Sequence, residues 1–134
     1  MVTLRYNISK PANIIYDELS DMLNFVSVHP VVYKIDSAGE NEYIFYEKIN
    51  VLFIPFRFNY KVRLDALEKS KTITMSSVVR KGVLLKLEFV LVPHGSTTEI
   101  TEKVSIQANV FIRLIFENVL TRVHKKLFLN IENK

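Results

Sequence analysis

The sequence predicts an α+β domain, in which a curved antiparallel sheet of about seven strands wraps round a long C-terminal helix. Apolar and polar residues alternate in Val2–Ile8, which is the period of a half-buried strand. From residue 31 to residue 107, segments of strand character are separated by short turns, as in an antiparallel meander. Residues 109–131 then repeat apolar side chains at steps of three and four, as one long helix does. The predicted element order is β-αα-ββββββ-α.

Two short helices are predicted between the first strand and the meander. Pro11 suits the first turn of a helix, because the N–H that it lacks would have no partner there. Apolar residues then recur at helical spacing as far as Val26, and Asp21 is a candidate cap for a second helix within this stretch. Pro30 ends the section.

Six strands are predicted in the meander. The third of them has the clearest alternation, with Phe56, Phe58 and Tyr60 on one face and Arg57 and Lys61 on the other. The predicted strands are residues 31–37, 42–49, 56–67, 72–79, 83–92 and 97–107.

The composition fits a single domain covering residues 1–134. A chain of this length buries roughly two-thirds of its unfolded surface, which suffices for a core. No cysteine is present, so disulfides, thiolate metal sites and cysteine nucleophiles are excluded. The 18 Lys and Arg residues outnumber the 14 Asp and Glu residues but are scattered, which is typical of a solubilising surface. The first ten residues lack the apolar segment of a signal peptide, which favours a cytoplasmic location.

The predicted C-terminal helix has an inward apolar stripe and a polar side. The stripe consists of Ile112, Phe116, Val119, Val123 and Leu127. The polar side is predicted to carry Arg113, Glu117, Thr121, His124 and Lys125. The first half of the helix is apolar almost all round, so it must be covered on more than one face or meet a partner.

The element order and several segments resemble the SRPBCC superfamily, which includes START lipid-transfer domains, pollen-allergen-like proteins and polyketide cyclase relatives. The segments are Pro11, Leu-Asn-Phe-Val-Ser-Val-His-Pro at residues 23–30, the basic strand at residues 56–67 and the terminal helix. The resemblance covers the chain from Val2 to about Ile131, and its features are architectural. It implies a helix-grip fold with a cavity between sheet and helix, which the family uses for lipids, sterols, polyketides or other apolar ligands.

The resemblance implies a protein that binds an apolar small molecule or lipid in that cavity, for transport or sensing. No glycine-rich phosphate loop, nucleophile elbow or metalloprotease pair occurs in the sequence, so binding is favoured over catalysis and no cofactor is predicted. The residues predicted to line the cavity are Phe56, Phe58, Tyr60, Leu85, Leu87, Ile112, Phe116 and Val119.

Glu102 is the one candidate catalytic residue, because it shares a strand face with Ile100, Val104 and Ile106. A carboxyl group buried there without a partner would have a raised pKa and could act as a general acid or base. The favoured alternative is a salt bridge at the sheet edge, since one carboxylate without a partner is weak support for catalysis. An enzyme of the polyketide cyclase or dehydratase type, using this carboxylate or a tyrosine, is the second hypothesis.

The three histidines are predicted to lie in turns or on the polar side of the helix. His29, His94 and His124 are far apart in sequence and lack the spacing of a zinc site, so no metal is predicted. His29 is the best placed of them, because the connection before Pro30 borders the cavity in the family that the chain resembles. A surface turn is still the favoured interpretation of His29.

The apolar stretch at residues 51–56 joins two predicted strands, where polar residues are usual. We interpret Val51, Leu52, Phe53 and Ile54 as a gate over the cavity, a membrane-touching lip or a dimer contact. The alternative is that the strands are longer and these side chains join the core. The predicted partners are an apolar ligand and, transiently, a membrane, for a monomer or a homodimer; a protein-interaction module is the third hypothesis. Nucleic acid is not predicted, because the basic face of residues 56–67 lies opposite its aromatic face.

Overall fold

The computed structural model describes residues 1–51, 53–80 and 82–134. Its elements follow the predicted order. They are β1 (Val2–Ile8), α1 (Ala12–Ser20), α2 (Met22–Val28), β2 (Val32–Gly39), β3 (Glu42–Val51), β4 (Ile54–Leu67), β5 (Thr72–Arg80), β6 (Val83–His94), β7 (Thr97–Gln107) and α3 (Val110–Glu132).

The strands form one seven-stranded antiparallel sheet in the order β1-β7-β6-β5-β4-β3-β2. Strands β2 to β7 are a meander, and β1 closes on the last strand, with Leu4 opposite Glu102. The prediction of a curved antiparallel sheet with a long C-terminal helix is confirmed. Because β1 covers its outer side, β7 is an internal strand.

Side chains cap two of the helices. The Asp21 carboxylate accepts hydrogen bonds from the backbone N–H groups of Leu23 and Asn24 at 3.0 and 3.3 Å, as the sequence predicted. The Asn109 side chain accepts from the Ile112 N–H at 2.9 Å and begins α3. These caps satisfy backbone donors that would otherwise have no partner in the first turn.

The core lies between the sheet and three helical segments: α1, α2 and the C-terminal half of α3. Several of its side chains have no exposed surface, among them Ile15 and Leu19 of α1, Ile73 and Ile100 of the sheet, and Leu127 of α3. Burial on this scale is the main source of stability in a domain of this size.

The hairpin β3–β4 is longer than predicted. Strand β3 continues to Val51 and β4 begins at Ile54, while Leu52 lies outside the described residues. The longer strands do not bring Phe53 or Ile54 into the core, because these side chains are 100% and 56% exposed. Phe53 also has a φ angle of 67°, in the left-handed region that non-glycine residues rarely adopt.

The placement of His124 on the polar side of α3 was wrong. His124 is only 3% exposed, on the same side of α3 as Leu127 and Phe128. Positions three and four apart share a helix face, so two buried neighbours at these spacings place His124 inside.

Candidate functional site

An apolar cavity lies between the sheet and the middle of α3. It has a volume of about 60 Å³. One buried water needs about 10–15 Å³ on this scale, so the space corresponds to roughly four to six waters. The lining residues are Phe25, His29, Val31, Phe45, Glu47, Ile49, Phe58, Tyr60, Met75, Val79, Leu85, Leu87, Phe89, Phe116, Val119, Leu120, Val123 and His124.

Six of the eight residues predicted to line the cavity border it. They are Phe58, Tyr60, Leu85, Leu87, Phe116 and Val119. The other two, Phe56 and Ile112, are not among the lining residues of the described structure. Phe56 is opposite Ile49 near the end of the hairpin and is 48% exposed, and Ile112 lies in the first turn of α3. Both lie on the predicted face, but beyond the part of that face that is covered.

Four polar side chains, which we call the polar cluster, border this otherwise apolar space: His29, Glu47, Tyr60 and His124. They come from the end of α2, from β3, from β4 and from α3. Polar groups in apolar surroundings are costly unless they are hydrogen-bonded, so their convergence from four elements indicates a functional site.

Glu102 stands behind the polar cluster and pairs with His124. Its side chain has no exposed surface, and its Oε2 makes a short hydrogen bond to Nδ1 of His124. The Tyr6 hydroxyl donates to the other carboxylate oxygen at 3.5 Å. Burial, together with the Glu102 charge, raises the pKa of Tyr6, so this hydroxyl stays a donor. Glu102 thus points inward as predicted, and its partner is an interior histidine rather than a sheet-edge cation.

His29 ends α2 and is held by the backbone that follows it. Its Nδ1 accepts hydrogen bonds from the N–H groups of Val31 and Val32, at 3.2 and 3.0 Å. Burial, and secondarily the nearby His124, lowers the pKa of His29 to about 3. The favoured interpretation of His29 as a surface turn residue was wrong, because its ring borders the cavity.

Glu47 and Tyr60 lie on neighbouring strands, two residue pairs apart in the β3–β4 register and on the same face of the sheet. Burial raises the pKa of Glu47 to about 6, although a hydrogen bond from Tyr60 and the proximity of His124 oppose the rise. Burial and the Glu47 charge raise the pKa of the Tyr60 hydroxyl well above its usual range. Near neutral pH this pair therefore supplies a hydroxyl donor and a carboxyl group that titrates close to that pH.

Aromatic rings surround the polar cluster. The His124 ring lies 5.9 Å from Phe89, and the His29 ring lies 5.0 Å from Phe25. The Phe45 ring lies 5.9 Å from Tyr60. A planar ligand would therefore meet ring faces and edges, and only a few polar atoms.

Exposed apolar side chains, which we call the rim, lie at one end of the sheet. The turn between β3 and β4 and the start of α3 are both at this end, where Phe53, Ile54, Phe111 and Leu114 are all more than half exposed. Isolated exposed apolar residues are ordinary, but four large ones at one end of a sheet are unusual.

Known structures with the same architecture include enzymes and proteins of the START superfamily. An aromatase/cyclase from Streptomyces sp. R1128 has 14% identity and a TM-score of 0.73, over 98% of this chain and 90% of that one. A norcoclaurine synthase point mutant from Thalictrum flavum, in complex with a transition-state analogue, has 14% identity and a TM-score of 0.73, over 98% and 91%. A START superfamily protein from Mycobacterium smegmatis has 14% identity and a TM-score of 0.69, over 98% and 97%.

The chain has a START-like fold. No family model matches it, and no curated protein matches its sequence. At these identities the likeness concerns the fold, because one fold serves many unrelated functions.

The sequence analysis placed His29 and His124, two residues of the site, at the surface instead of in the interior. A signal was present for His124, since it is spaced three and four residues before Leu127 and Phe128. For His29 the signal was only its position before Pro30, at the end of a short helix.

Among the described residues, no group of three or more His, Cys, Asp or Glu side chains is arranged to hold a metal ion. None of the described helices combines the length and apolar character that crossing a bilayer requires.

Proposed function

We propose that the protein binds an apolar small molecule carrying one polar group, in the cavity between the sheet and α3. The observation that carries this proposal is the polar cluster within aromatic and aliphatic walls. Apolar walls favour a ligand by removing its surface from water, and a few placed polar groups fix its orientation. The START-like fold supports the same function.

The ligand is about the size of one ring. Sites for drug-sized ligands have volumes of about 300–1,000 Å³, whereas this cavity has about 60 Å³. A sterol or a long acyl chain would need α3 to move away from the sheet. A single-ring phenol, ketone or lactone would need a much smaller movement of α3, so we narrow the predicted hydrophobic ligands to small compounds of this kind.

The exposed rim is the proposed entrance for this ligand. Phe53 and Ile54 on the hairpin and Phe111 and Leu114 on α3 present apolar surface at the end where the cavity opens. A transient contact of this surface with a membrane, or with a second copy of the chain, would deliver an apolar ligand without exposing it to water. We also propose a cytoplasmic location for the protein, as the sequence favours.

Acid–base catalysis of the cyclase or dehydratase kind is the second candidate function. The hydrogen bond between Glu102 and His124 favours it, because a carboxylate that orients an interior histidine is a common arrangement for a general base. A pure binding site would not need this pair.

Binding can be tested with toluene, phenol and cyclohexanone by protein-observed NMR and thermal shift. We expect binding that is lost, by at least about tenfold, in Val119→Phe, because the added ring fills the cavity. The matched control is Val110→Phe, the same change at a position that is 61% exposed on the same helix. If none of the three compounds shifts resonances of the cavity residues, or if both variants bind alike, the proposal is wrong.

A further inference from the structure

The two histidines of the polar cluster are fixed in opposite tautomers. Nδ1 of His29 accepts two backbone N–H bonds, so it carries no proton. A neutral imidazole has one protonated nitrogen, and the proton of His29 is therefore on Nε2. Its pKa of about 3 keeps the ring neutral at physiological pH. His29 thus offers an Nε2–H donor.

His124 has the reverse arrangement. Its Nδ1 is hydrogen-bonded to the Glu102 carboxylate, which can only accept. A proton therefore lies on Nδ1, and in the neutral form of the ring Nε2 carries a lone pair. Tyr6, which donates to the second oxygen of Glu102, helps to hold the carboxylate in this role.

Both histidines border the cavity, and Nε2 is the ring nitrogen of each that is left to face it. Neither forms a hydrogen bond to the described part of the chain, whose hydrogen bonds to these rings involve Nδ1 alone. Yet no enclosed side-chain nitrogen or oxygen among the described residues lacks a partner, so these two atoms are not enclosed by protein. The rings are 6.4 Å apart and nearly perpendicular, with an interplanar angle of 85°. A donor and an acceptor therefore face one small ligand.

We propose that this cavity catalyses proton transfer on a small carbonyl compound, with His124 as general base and His29 as hydrogen-bond donor to the carbonyl oxygen. The inference rests on the proposed binding function, since the compound must occupy the same cavity. A donor and a lone pair on two rings whose centres lie 6.4 Å apart match a carbonyl oxygen and the C–H bond of the adjacent carbon.

The step needs no other reactant. The C–H bond breaks, its proton passes to Nε2 of His124, and its electron pair forms a C=C bond while the carbonyl π pair moves to oxygen. The Nε2–H of His29 donates to the oxygen that gains charge. The imidazolium of His124 then faces the Glu102 carboxylate, and it returns the proton to the same carbon or to the other end of the enolate system. The net reaction is tautomerisation or double-bond isomerisation.

The surroundings favour this reaction over the same chemistry in water. The walls near the histidines are phenylalanine rings, so few solvent dipoles compete with the hydrogen bond from His29. Glu102 does not touch the open space and acts as a positioning residue, since it sets the tautomer of His124. Glu47 and Tyr60 also face the cavity and are the remaining polar contacts for a substrate.

The test follows the isomerisation of cyclohex-3-enone to cyclohex-2-enone by ultraviolet absorbance. We expect the wild-type protein to accelerate it beyond free imidazole at equal concentration. His124→Gln should lower kcat/KM by about 100-fold or more, because it removes the base. His29→Asn, whose amide oxygen can still accept from the Val31 and Val32 N–H groups, should lower kcat/KM by at least about tenfold. The matched control is His94→Gln, at the exposed last residue of β6, which should leave the rate unchanged.

Cyclohexanone, which cannot isomerise, separates binding from catalysis. If it binds equally to wild type and His124→Gln while the two proteins isomerise cyclohex-3-enone at the same rate, the proton-transfer proposal is overturned and the binding proposal stands. If the wild type neither binds it nor accelerates the reaction, the proton-transfer proposal is overturned too, and the Val119→Phe comparison decides the binding proposal by itself.

Nitrogen-15 NMR of the imidazole rings tests the tautomers without any variant. We expect His29 to carry its proton on Nε2 and His124 on Nδ1. Glu102→Gln should shift the His124 tautomer population, an effect that a merely structural role of Glu102 would not produce. The same tautomer on both rings would remove the donor–acceptor pair and overturn the proposal.

Discussion

The two halves of α3 have similar apolar content and opposite environments. In the C-terminal half, Leu127, Phe128 and Ile131 are at most 1% exposed. In the N-terminal half, Val110 and Phe111 are 61% and 72% exposed. The helix is therefore anchored to the sheet at one end and stands away from it at the other, and the cavity occupies the space between. An apolar sequence predicts that a helix is buried, but the fold determines which part of the helix is buried.

Polar contacts accompany the apolar anchoring of the C-terminal half. The Asn130 side chain donates to the Val28 carbonyl at 2.8 Å, and the Lys134 ammonium is 3.0 Å from both Glu18 carboxylate oxygens. The N-terminal half has only an intrahelical ion pair, between Arg113 and Glu117, among the described salt bridges. The anchored end is thus fixed by the fold, whereas the free end is available for a ligand or a partner.

The largest difference between the halves is expected for two phenylalanine-to-alanine substitutions. Phe128→Ala should lower the free energy of unfolding by about 3–5 kcal/mol, because it leaves a cavity between Tyr6 and Phe89, whose rings lie 4.5 and 5.9 Å away. Phe111→Ala, the control in the exposed half, should change it by less than about 0.5 kcal/mol. Urea unfolding measures both variants. Similar losses would contradict a buried C-terminal half and an exposed N-terminal half of α3.

Acid should weaken the protein through His29, beside the anchored end of α3. The folded-state pKa of about 3 is below the usual 6.5, so the unfolded chain binds more protons between these values, and stability falls as the pH falls through this window. The pKa of Glu47, raised from 4.5 to about 6, has the opposite effect between 4.5 and 6, where stability falls as the pH rises. Between pH 6.5 and pH 4, the free energy of unfolding should therefore fall by about 1–2 kcal/mol less in His29→Asn than in the wild type, allowing for partial screening.

Urea unfolding at several pH values measures this effect. The other titratable groups at the site, Glu47, Glu102 and His124, are present in both proteins, so the difference between the profiles reports His29 together with its interaction with His124. Parallel pH profiles for wild type and His29→Asn would show that His29 is protonated in the folded state.

A smaller effect is expected from the hydrogen bond that ties α3 to α2. Asn130→Ala should lower the free energy of unfolding by about 1 kcal/mol, because the Val28 carbonyl loses its donor. Asn118→Ala makes the same change on an exposed position of the free half, and it should have no measurable cost. Alanine is the better helix former, so helix propensity alone would stabilise both variants, and equal losses in the two would contradict an anchoring role of Asn130.

The smallest effect on stability is expected at the rim. Phe53→Asp should leave the free energy of unfolding within about 0.5 kcal/mol of the wild type, since the ring has no covered surface to lose. Size-exclusion chromatography of the same variant tests the dimer interpretation of the rim. An elution volume that changes from that of a dimer to that of a monomer would assign the rim to self-association, and an unchanged monomer would favour the entrance alone.

Much of the fold could be predicted from local patterns. Alternation placed Glu102 and Phe58 on the inner face, and Asp21 was recognised as a cap from its position between two apolar runs. These features depend on the period of a strand or on the first turn of a helix, which a sequence displays directly.

The candidate site was less accessible to this reasoning, because it depends on how elements meet. Phe56 is on the predicted face, yet it is half exposed, since alternation gives the face of a strand but not what covers that face. His124 was assigned outside because it is polar, although its spacing from Leu127 and Phe128 placed it inside. The opposite tautomers of His29 and His124 depend on the atoms next to each ring, which no sequence pattern specifies.

The left-handed backbone at Phe53 has a consequence for the choice of residue in this turn. A bulky side chain in this conformation costs about 1 kcal/mol or more, and glycine would adopt it freely. The ring is fully exposed to water and does not stabilise the fold, so folding alone would favour glycine or asparagine in its place. Phe53 is thus disfavoured both by its backbone conformation and by the exposure of its ring. A contact of this side chain with a molecule outside its own chain best explains its presence.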